Sequence, residues 1–412
     1  MTANSASQVT QPELFDPANA PDFVRILKDI RDNEEMFFYE GEQYRAWVVS
    51  RHDHVVELLR DDRLIQPSLL PRIASFPDAQ REQLFPLQEF ARLNLGKTRE
   101  RKLALRQATK QFFMPGSVNR LRARVREIIE LLHKDIDPSQ PVDLVGRFSY
   151  PMPAWVLAEI LGVPRSDQHK FIDWSNALIQ FFRSYTFEEF LSAQDGVVEM
   201  IDYCTGHIER RMREGAGDND LIDDFARLLE AGEFEIGELA TSCATFLMAG
   251  HENTSHFIGN LFLMLFSNPK QMAAVRADRS LLGPFMDETL RYRGVVPFVT
   301  REVLEDFDFE GRELKTGQLV SLSLFSANRD DSTFTGVDDF DLHNPTAKYH
   351  LGFGHGEEYC RGAHLALMEA EELVNFLFDR YSAIDPVEGG MEVSLKPMLR
   401  RYITRLDLNL RP

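Results

Sequence analysis

The stretch Phe353-Gly354-His355-Gly356-Glu357-Glu358-Tyr359-Cys360-Arg361-Gly362 decides how this chain is read. Three glycines in ten residues, behind a phenylalanine, make a loop whose backbone can come very close to a flat group. Directly after it, Leu365, Met368, Leu373, Phe376 and Leu377 recur at helical spacing among Glu369, Glu371 and Glu372, so a helix is expected to run on to Arg380. Cys360 then lies at a helix N-terminus, where unpaired N–H groups and the helix dipole favour a thiolate. A thiolate held in a glycine loop and open on one side can serve as an axial ligand to haem iron.

Upstream of the loop, Asn328-Arg329-Asp330 and Phe340-Asp341 sit in a long meander, Ala327–Pro345. Before that, Thr300–Val320 reads as short strands turning at Gly311 and Gly317. Gln271–Arg293 reads as a helix, on which Glu288 and Arg291 are three apart and share a face. Taken alone, such a pair is a surface ion pair. The longest periodic stretch is Ile236–Phe266, stopped by Asn268-Pro269; as one helix it spans about 46 Å and must cross the molecule. Its middle, Ala249-Gly250-His251-Glu252-Asn253-Thr254-Ser255, is small and polar where a core helix should be Leu and Ala. Small residues there let something approach the backbone, and polar ones can open the hydrogen-bond ladder and hold water. His251-Glu252 invites a zinc reading, but a second His is needed four residues on, where Ser255 stands; His256 is about 140° around the helix from His251.

Earlier still, Lys97–Phe113 is strongly basic, with Lys97, Arg99, Arg101, Lys102, Arg106 and Lys110, in a chain of net charge −19. It is either a solvated helix face or a functional one. In the second case Lys102 and Arg106, four apart, can meet the carboxylates of a cofactor, and the outer bases can dock an acidic redox partner. Pro21–Asn33, His52–Asp61, Arg120–Asp135, Asp143–Leu161, Asp167–Arg183 and Met200–Arg213 read as helices, and Met36–Tyr39 with Tyr44–Val49 as a hairpin. Ile65–Leu95, with its prolines and no clean period, reads as an irregular, mobile, substrate-facing segment. The aromatic group at Trp174, Phe181, Phe182, Tyr185 and Phe187 is core or ligand wall. Met391–Leu410 reads as strands with a turn near Pro397.

Composition bounds the rest. Hydrophobic residues make up 43% of the 412, enough for a thick core. No run approaches the roughly 18 apolar residues of a membrane span, and Met1–Asn19 lacks a signal-peptide layout, so a cytoplasmic, soluble protein is expected. The acidic balance argues against nucleic-acid and membrane-surface partners. Cys204, Cys243 and Cys360 are odd in number and far apart, which is no disulfide framework and no CxxC zinc site. With no internal repeat or linker, the expectation is a lead-in at 1–20 and one mainly helical domain with a smaller β part at 21–412.

Three of these stretches resemble the signatures of the cytochrome P450 family. Phe353–Gly362 matches the cysteine-loop pattern FGxGxxxCxG at each fixed position, Glu288-Thr289-Leu290-Arg291 matches ExxR, and Ala249-Gly250-His251-Glu252 matches the start of [AG]Gx[DE]T. Asn328-Arg329-Asp330 resembles the bacterial form of the strand before the meander. The resemblance covers nearly the whole chain and implies the soluble bacterial class, with haem b between the long helix and the cysteine-loop helix. It implies that Cys360 is the proximal thiolate ligand of the iron, on a loop with Gly354 and Gly362, and that Phe353 tunes the potential. Glu288 and Arg291 become a buried structural pair, which revises the surface reading above. Ala249 and Gly250 make room for dioxygen, Glu252 helps relay protons, and Arg106, Arg301 and Lys102 meet the haem propionates.

The departures are informative. Asn253 stands where the family usually has Thr, with Thr254 next; an amide cannot shuttle protons readily. Glu358 stands where many bacterial members have a propionate-binding His, and is expected to turn to solvent or to pair with a base. Asn344, with His343 beside it, replaces the Arg that completes the ExxR network. The expected activity is a monooxygenase that hydroxylates a small molecule of secondary metabolism. Its electrons come from a ferredoxin- or flavodoxin-type donor, with NAD(P)H used only through that donor. Asn253 motivates an alternative, oxidative coupling, cyclisation or C–C cleavage, and a non-catalytic haem sensor stands third. The expected substrate wall is apolar: Phe246, Ala249, Val296, Phe298, Phe181 and Met398.

Overall fold

The computed structural model describes residues 23–33, 36–41, 44–94, 98–215, 220–396 and 400–412. Its contacts divide the chain into two compact units. One comprises Met1–Pro67, Asn260–Cys360 and Glu392–Thr404; the other comprises Ser68–Gly259, Arg361–Met391 and Arg405–Pro412.

The first unit is built on a five-stranded sheet in the order Met36–Glu40, Arg45–Val49, Leu319–Ser323, Phe298–Val303, Leu64–Ile65. The first two strands form the expected hairpin, with Met36 opposite Val49 and Glu40 opposite Arg45. Arg45–Val49 runs parallel to Leu319–Ser323, and the remaining pairings are antiparallel. Strand alternation sends neighbouring side chains to opposite faces. Val49 therefore packs with Val55, Leu58, Val320 and Leu322, while Val48 packs with Phe37, Phe298 and the Ile26 and Leu27 of helix Phe23–Asn33. Both faces are thus covered. The sequence suggested one helix over Gln271–Arg293; the structure has two, Pro269–Ala277 and Leu282–Tyr292. Asp278 separates them by accepting from the Ser280 N–H at the head of a short 3-10 turn.

The second unit is helical. Lys170–Arg183 packs along Phe187–Glu214, and Pro115–His133 packs on Ala363–Arg380. That last pair is bolted by Arg122 to Glu371 at 2.9 Å and by Arg122 and Arg126 to the buried Glu372. Phe187–Glu214 starts thirteen residues before Met200, where the sequence reading began it, because Thr186 and Glu189 form a reciprocal capping box.

One expectation is overturned. The stretch read as irregular holds three helices, Leu70–Ala74, Asp78–Gln83 and Phe85–Asn94. The first two are too short to show a period. Their prolines mark starts, since Pro71 and Pro86 lie in first turns and Pro77 is a cap, where a missing N–H costs nothing. Leu84, Leu87 and Ala91 are wholly buried at helical spacing. The long helix runs unbroken from Ile236 to Ser267, so its polar turn does not interrupt the ladder. Among the described residues, no helix is long and apolar enough to cross a membrane.

Candidate active site

Cys360 is exposed, whereas Cys204 and Cys243 are buried. Its loop is held by backbone bonds: Gly354 N–H donates to Leu351 O at 2.8 Å, and Cys360 N–H donates to Phe353 O at 2.8 Å. Gly354 and Gly356 have φ of +71° and +70°, the left-handed region that any other residue enters at a cost. A Cβ at Gly356 would also lie 3.0 Å from the Leu59 carbonyl. The Phe353 ring lies between His350, 5.7 Å away, and Tyr359, 6.3 Å away. Helix Ala363–Arg380 starts three residues after Cys360, with Gly362 as its N-cap.

In the same unit, Glu288 and Arg291 are wholly buried and joined by two parallel bonds of 2.7 Å. A buried charge pair persists only if its remaining polar atoms are satisfied, and here they are. Arg291 Nη1 donates to the carbonyls of Asn328 at 3.2 Å and Val337 at 3.1 Å, and Nη2 donates to that of Asp339 at 2.9 Å. Glu288 accepts from the Asp341 N–H at 3.1 Å and from Asn344 Nδ2 at 3.3 Å. Asn344 thus reaches the acid directly, the point left open by the sequence. Arg301 is also inside this unit. Burial holds its guanidinium below the usual range, with the charge of exposed Glu358 opposing that effect. Among the described residues it donates to the Thr300 carbonyl at 3.1 Å and has no carboxylate within ion-pair distance.

In the helical unit, Lys102 and Arg106 sit one turn apart on helix Arg99–Ala108, both half-buried, and Lys102 Nζ is withdrawn from solvent. Arg101 on the same helix is committed elsewhere: it pairs with Glu238 and lies 4.5 Å over the Phe234 ring. Arg361, next to the cysteine in sequence, donates to Thr109 Oγ1 at 2.6 Å at the end of that helix. Lys97 lies outside the described residues.

The polar turn of the long helix resolves into distinct jobs. His251 is wholly buried; its Nε2 is 2.8 Å from the Tyr150 carbonyl, to which it donates, and its Nδ1 is 2.7 Å from Ser175 Oγ. Burial pushes its pKa down to about 4, so it is a neutral packing residue. The smallness of Gly250 serves Leu157, whose Cδ1 would meet a Cβ there at 3.0 Å. Ala249 is exposed, and Thr254 is buried. Asn253 donates its side-chain amide to the Ala249 carbonyl at 3.0 Å. Glu252 Oε2 receives Arg183 Nη2 at 2.7 Å, and its Oε1 lies 3.5 Å from His256 Nε2. Burial opposes the charge of Glu252, but His256 and Arg183 together hold its pKa below the usual value. Arg183 was not foreseen in this role; the two residues are 69 apart in sequence, and nothing local couples them.

The expected substrate wall fares unevenly. Phe181 is wholly buried among Phe90, Phe182 and Phe190, and Phe298 is buried in the sheet core, so both serve as packing rather than as open wall. Phe246 packs 5.5 Å from Phe113 and 6.5 Å from Phe225, beneath Arg361. Val296 is half-buried against the sheet core. Met398 lies outside the described residues.

The family model described as Cytochrome P450 matches residues 154–400, which include the long helix, the ExxR pair and the cysteine loop. The chain belongs to the cytochrome P450 family. It is 34% identical over 379 residues to cytochrome P450 107B1 of Saccharopolyspora erythraea, covering 89% of each chain. It is 34% identical over 284 residues to the cyclomarin C epoxidase CymV of Salinispora arenicola, covering 68% of this chain and 71% of that one. Among solved structures, the P450 enzyme CxnD for C–S bond formation in chuangxinmycin biosynthesis superposes with a TM-score of 0.81 at 26% identity, covering 94% of each chain. As a cytochrome P450 monooxygenase, the protein is an oxidoreductase. The family implies a haem with thiolate-ligated iron, and the residues present fit that group. An exposed thiol follows a left-handed glycine loop, and among the described residues the half-buried Arg301 guanidinium has no carboxylate partner, as a haem propionate requires.

Proposed function

We propose that this P450 inserts one atom of dioxygen into an organic small molecule of secondary metabolism, as a hydroxylation, with electrons from a separate ferredoxin- or flavodoxin-type donor in the cytoplasm. The observation that carries this reading is the exposed Cys360 thiol on its left-handed glycine loop, and the Glu252 carboxylate held between Arg183 and His256 supports it. Cys360 is the thiolate ligand, and Phe353 packs beside it. Arg301, Lys102 and Arg106 are the cations for the propionates. Haem, when bound, supplies the redox-active iron at which dioxygen is activated. Glu252, ionised at neutral pH and anchored by Arg183, takes up and releases the protons that dioxygen reduction consumes.

Electron supply rests on charge. Arg99 and Lys110 are exposed on a strongly acidic protein, and Arg361 bonds to Thr109, next to Lys110; Arg101 is taken out of the patch by Glu238. Electron transfer should therefore slow as ionic strength rises, because exposed charges are screened beyond about 8–10 Å at physiological salt. A rate indifferent to salt contradicts docking there.

A second reading, oxidative coupling, cyclisation or C–C cleavage, is favoured by Asn253, whose amide is spent on the Ala249 carbonyl. Turnover under isotopically labelled dioxygen separates the two. Label in an otherwise intact product supports hydroxylation; full turnover with no label, or with a shortened carbon skeleton, supports the second reading.

A further inference from the structure

The helix turn around Glu252 has a non-titrating residue where a proton carrier is expected, and a titrating one a turn further on. Asn253 cannot titrate, and one of its amide hydrogens is committed to Ala249 O. His251 is locked between Tyr150 and Ser175. His256 is different. Ala249, Glu252, Asn253 and His256 follow the i, i+3, i+4, i+7 spacing that places side chains on one helix face. The two oxygens of Glu252 then face unlike partners. Oε2 is bound at 2.7 Å by Arg183, whose guanidinium does not give up a proton near neutrality. Oε1 faces His256 Nε2 at 3.5 Å, the outer edge of hydrogen-bond reach, and an imidazole does exchange protons in that range. A small side-chain adjustment or one bridging water closes that gap.

We propose that His256 is the proton-relay partner of Glu252, reloading that carboxylate each time it gives a proton to dioxygen under reduction. The inference rests on the monooxygenase reading above. Hydroxylation consumes one dioxygen, two electrons from the donor protein and two protons, and leaves one oxygen atom in the product and one in water. For each proton, the Nε2–H bond of the imidazolium breaks as an O–H bond forms at Glu252 Oε1. The carboxylic acid then gives that proton to the reduced oxygen, and the imidazole, which is buried with both ring nitrogens shielded from bulk solvent, regains its proton from a water admitted beside it. Arg183, whose side chain is 27% exposed against 14% for Glu252, fixes the carboxylate without competing for its proton. Glu252 also acts electrostatically on Tyr150 and His251, and Asp173, on the helix of Arg183, acts on Tyr150. His256 acts through Glu252 and is a positioning residue in this scheme.

The test has one arm that does not depend on turnover. In the diamagnetic ferrous carbonyl form, the His256 imidazole is titrated by NMR in protein labelled at histidine nitrogen, its signal assigned by loss in His256→Asn. The expected result is a titration that moves to lower pH by roughly one unit or more in Glu252→Gln. A pKa unmoved by that substitution overturns the proposal. The second arm measures peroxide released per dioxygen consumed, with electrons fed by a plant-type ferredoxin and its reductase. In the wild type the peroxide fraction should climb as pH rises through the His256 pKa. In His256→Asn it should be several-fold higher at low pH and flat across that range. A profile in the variant that follows the wild type overturns the relay and leaves a packing histidine. If His256→Asn does not retain haem, Glu252→Gln still decides the first arm, with the signal assigned as the one resonance lost in His256→Gln. The position of the ferrous carbonyl band is read in every sample, so a failure of the haem-thiolate reading is distinguishable from a failure of the relay.

Discussion

Two acid–arginine pairs in this chain use the same chemistry to opposite ends. Glu288 and Arg291 are wholly buried, joined by two bonds, and every remaining direction is closed by a backbone carbonyl, a backbone N–H or Asn344. Glu252 and Arg183 share one bond, keep some exposure, and leave the second carboxylate oxygen facing the imidazole of His256. A pair with no spare capacity can only hold segments together. A pair with one oxygen uncommitted to a permanent cation can move a proton.

The largest effect expected from this contrast is on stability. Arg291→Leu leaves Glu288 buried without its cation and should cost about 3–5 kcal/mol, read as a fall in the urea midpoint. Glu252→Gln removes a partly exposed pair and should cost under ~1 kcal/mol while changing the proton-dependent step. Similar stability losses at the two sites would erase the distinction.

His251 sharpens the comparison on the same helix. Its folded pKa is about 4 against about 6.5 unfolded, so as pH falls the unfolded chain binds the proton first. Its contribution is whole above about pH 6.5 and drains away toward pH 4, by up to about 3 kcal/mol at ~1.4 kcal/mol per unit. The difference in unfolding free energy between wild type and His251→Gln should therefore shrink as pH is lowered through that window. A constant difference would mean that the ring is not held neutral.

Smaller again is Asn344. Asn344→Ala removes the bonds that Nδ2 donates to Glu288 and the Thr335 carbonyl and those that Oδ1 accepts from the Thr346 N–H and from the Thr346 and Thr335 hydroxyls, and should cost about 1–3 kcal/mol, with the haem spectrum unchanged. A larger loss, with haem release, would mean that Asn344 bears the strain a cation would otherwise take. Glu369 shows a third fate for a carboxyl. It is buried on the cysteine-loop helix, its Oε2 has no partner among the described residues, and burial raises its pKa well above the usual carboxylate value. A raised folded pKa gives stability that is present at low pH and lost as pH rises, so Glu369→Gln should gain on the wild type with increasing pH.

What could be read from sequence followed the range of each interaction. The cysteine loop was legible because its glycines, its cysteine and the next helix are contiguous. Glu288 and Arg291 were legible as a same-face pair, but their burial came from the family resemblance, and the three carbonyls around Arg291 are 37 to 48 residues away. His256 was visible as the i+4 neighbour of Glu252, yet it was weighed only as a misplaced zinc ligand. The pairing of Arg183 with Glu252 left no local trace. The helices within 70–94 were missed because prolines, taken as signs of irregularity, stand at their first turns. Phe181 was placed on the ligand wall as part of an aromatic cluster and Phe298 for its position after the ExxR helix, whereas packing turned both inward.

The central claim is that Cys360 is a haem-iron thiolate. It is tested most directly by the absorption spectrum of the dithionite-reduced protein under carbon monoxide. The account predicts a Soret band at the long-wavelength position of a thiolate-ligated ferrous carbonyl in freshly prepared protein, lost in Cys360→Ala. A band at the histidine- or thiol-ligated position in fresh wild type, or one that survives in Cys360→Ala, would contradict it.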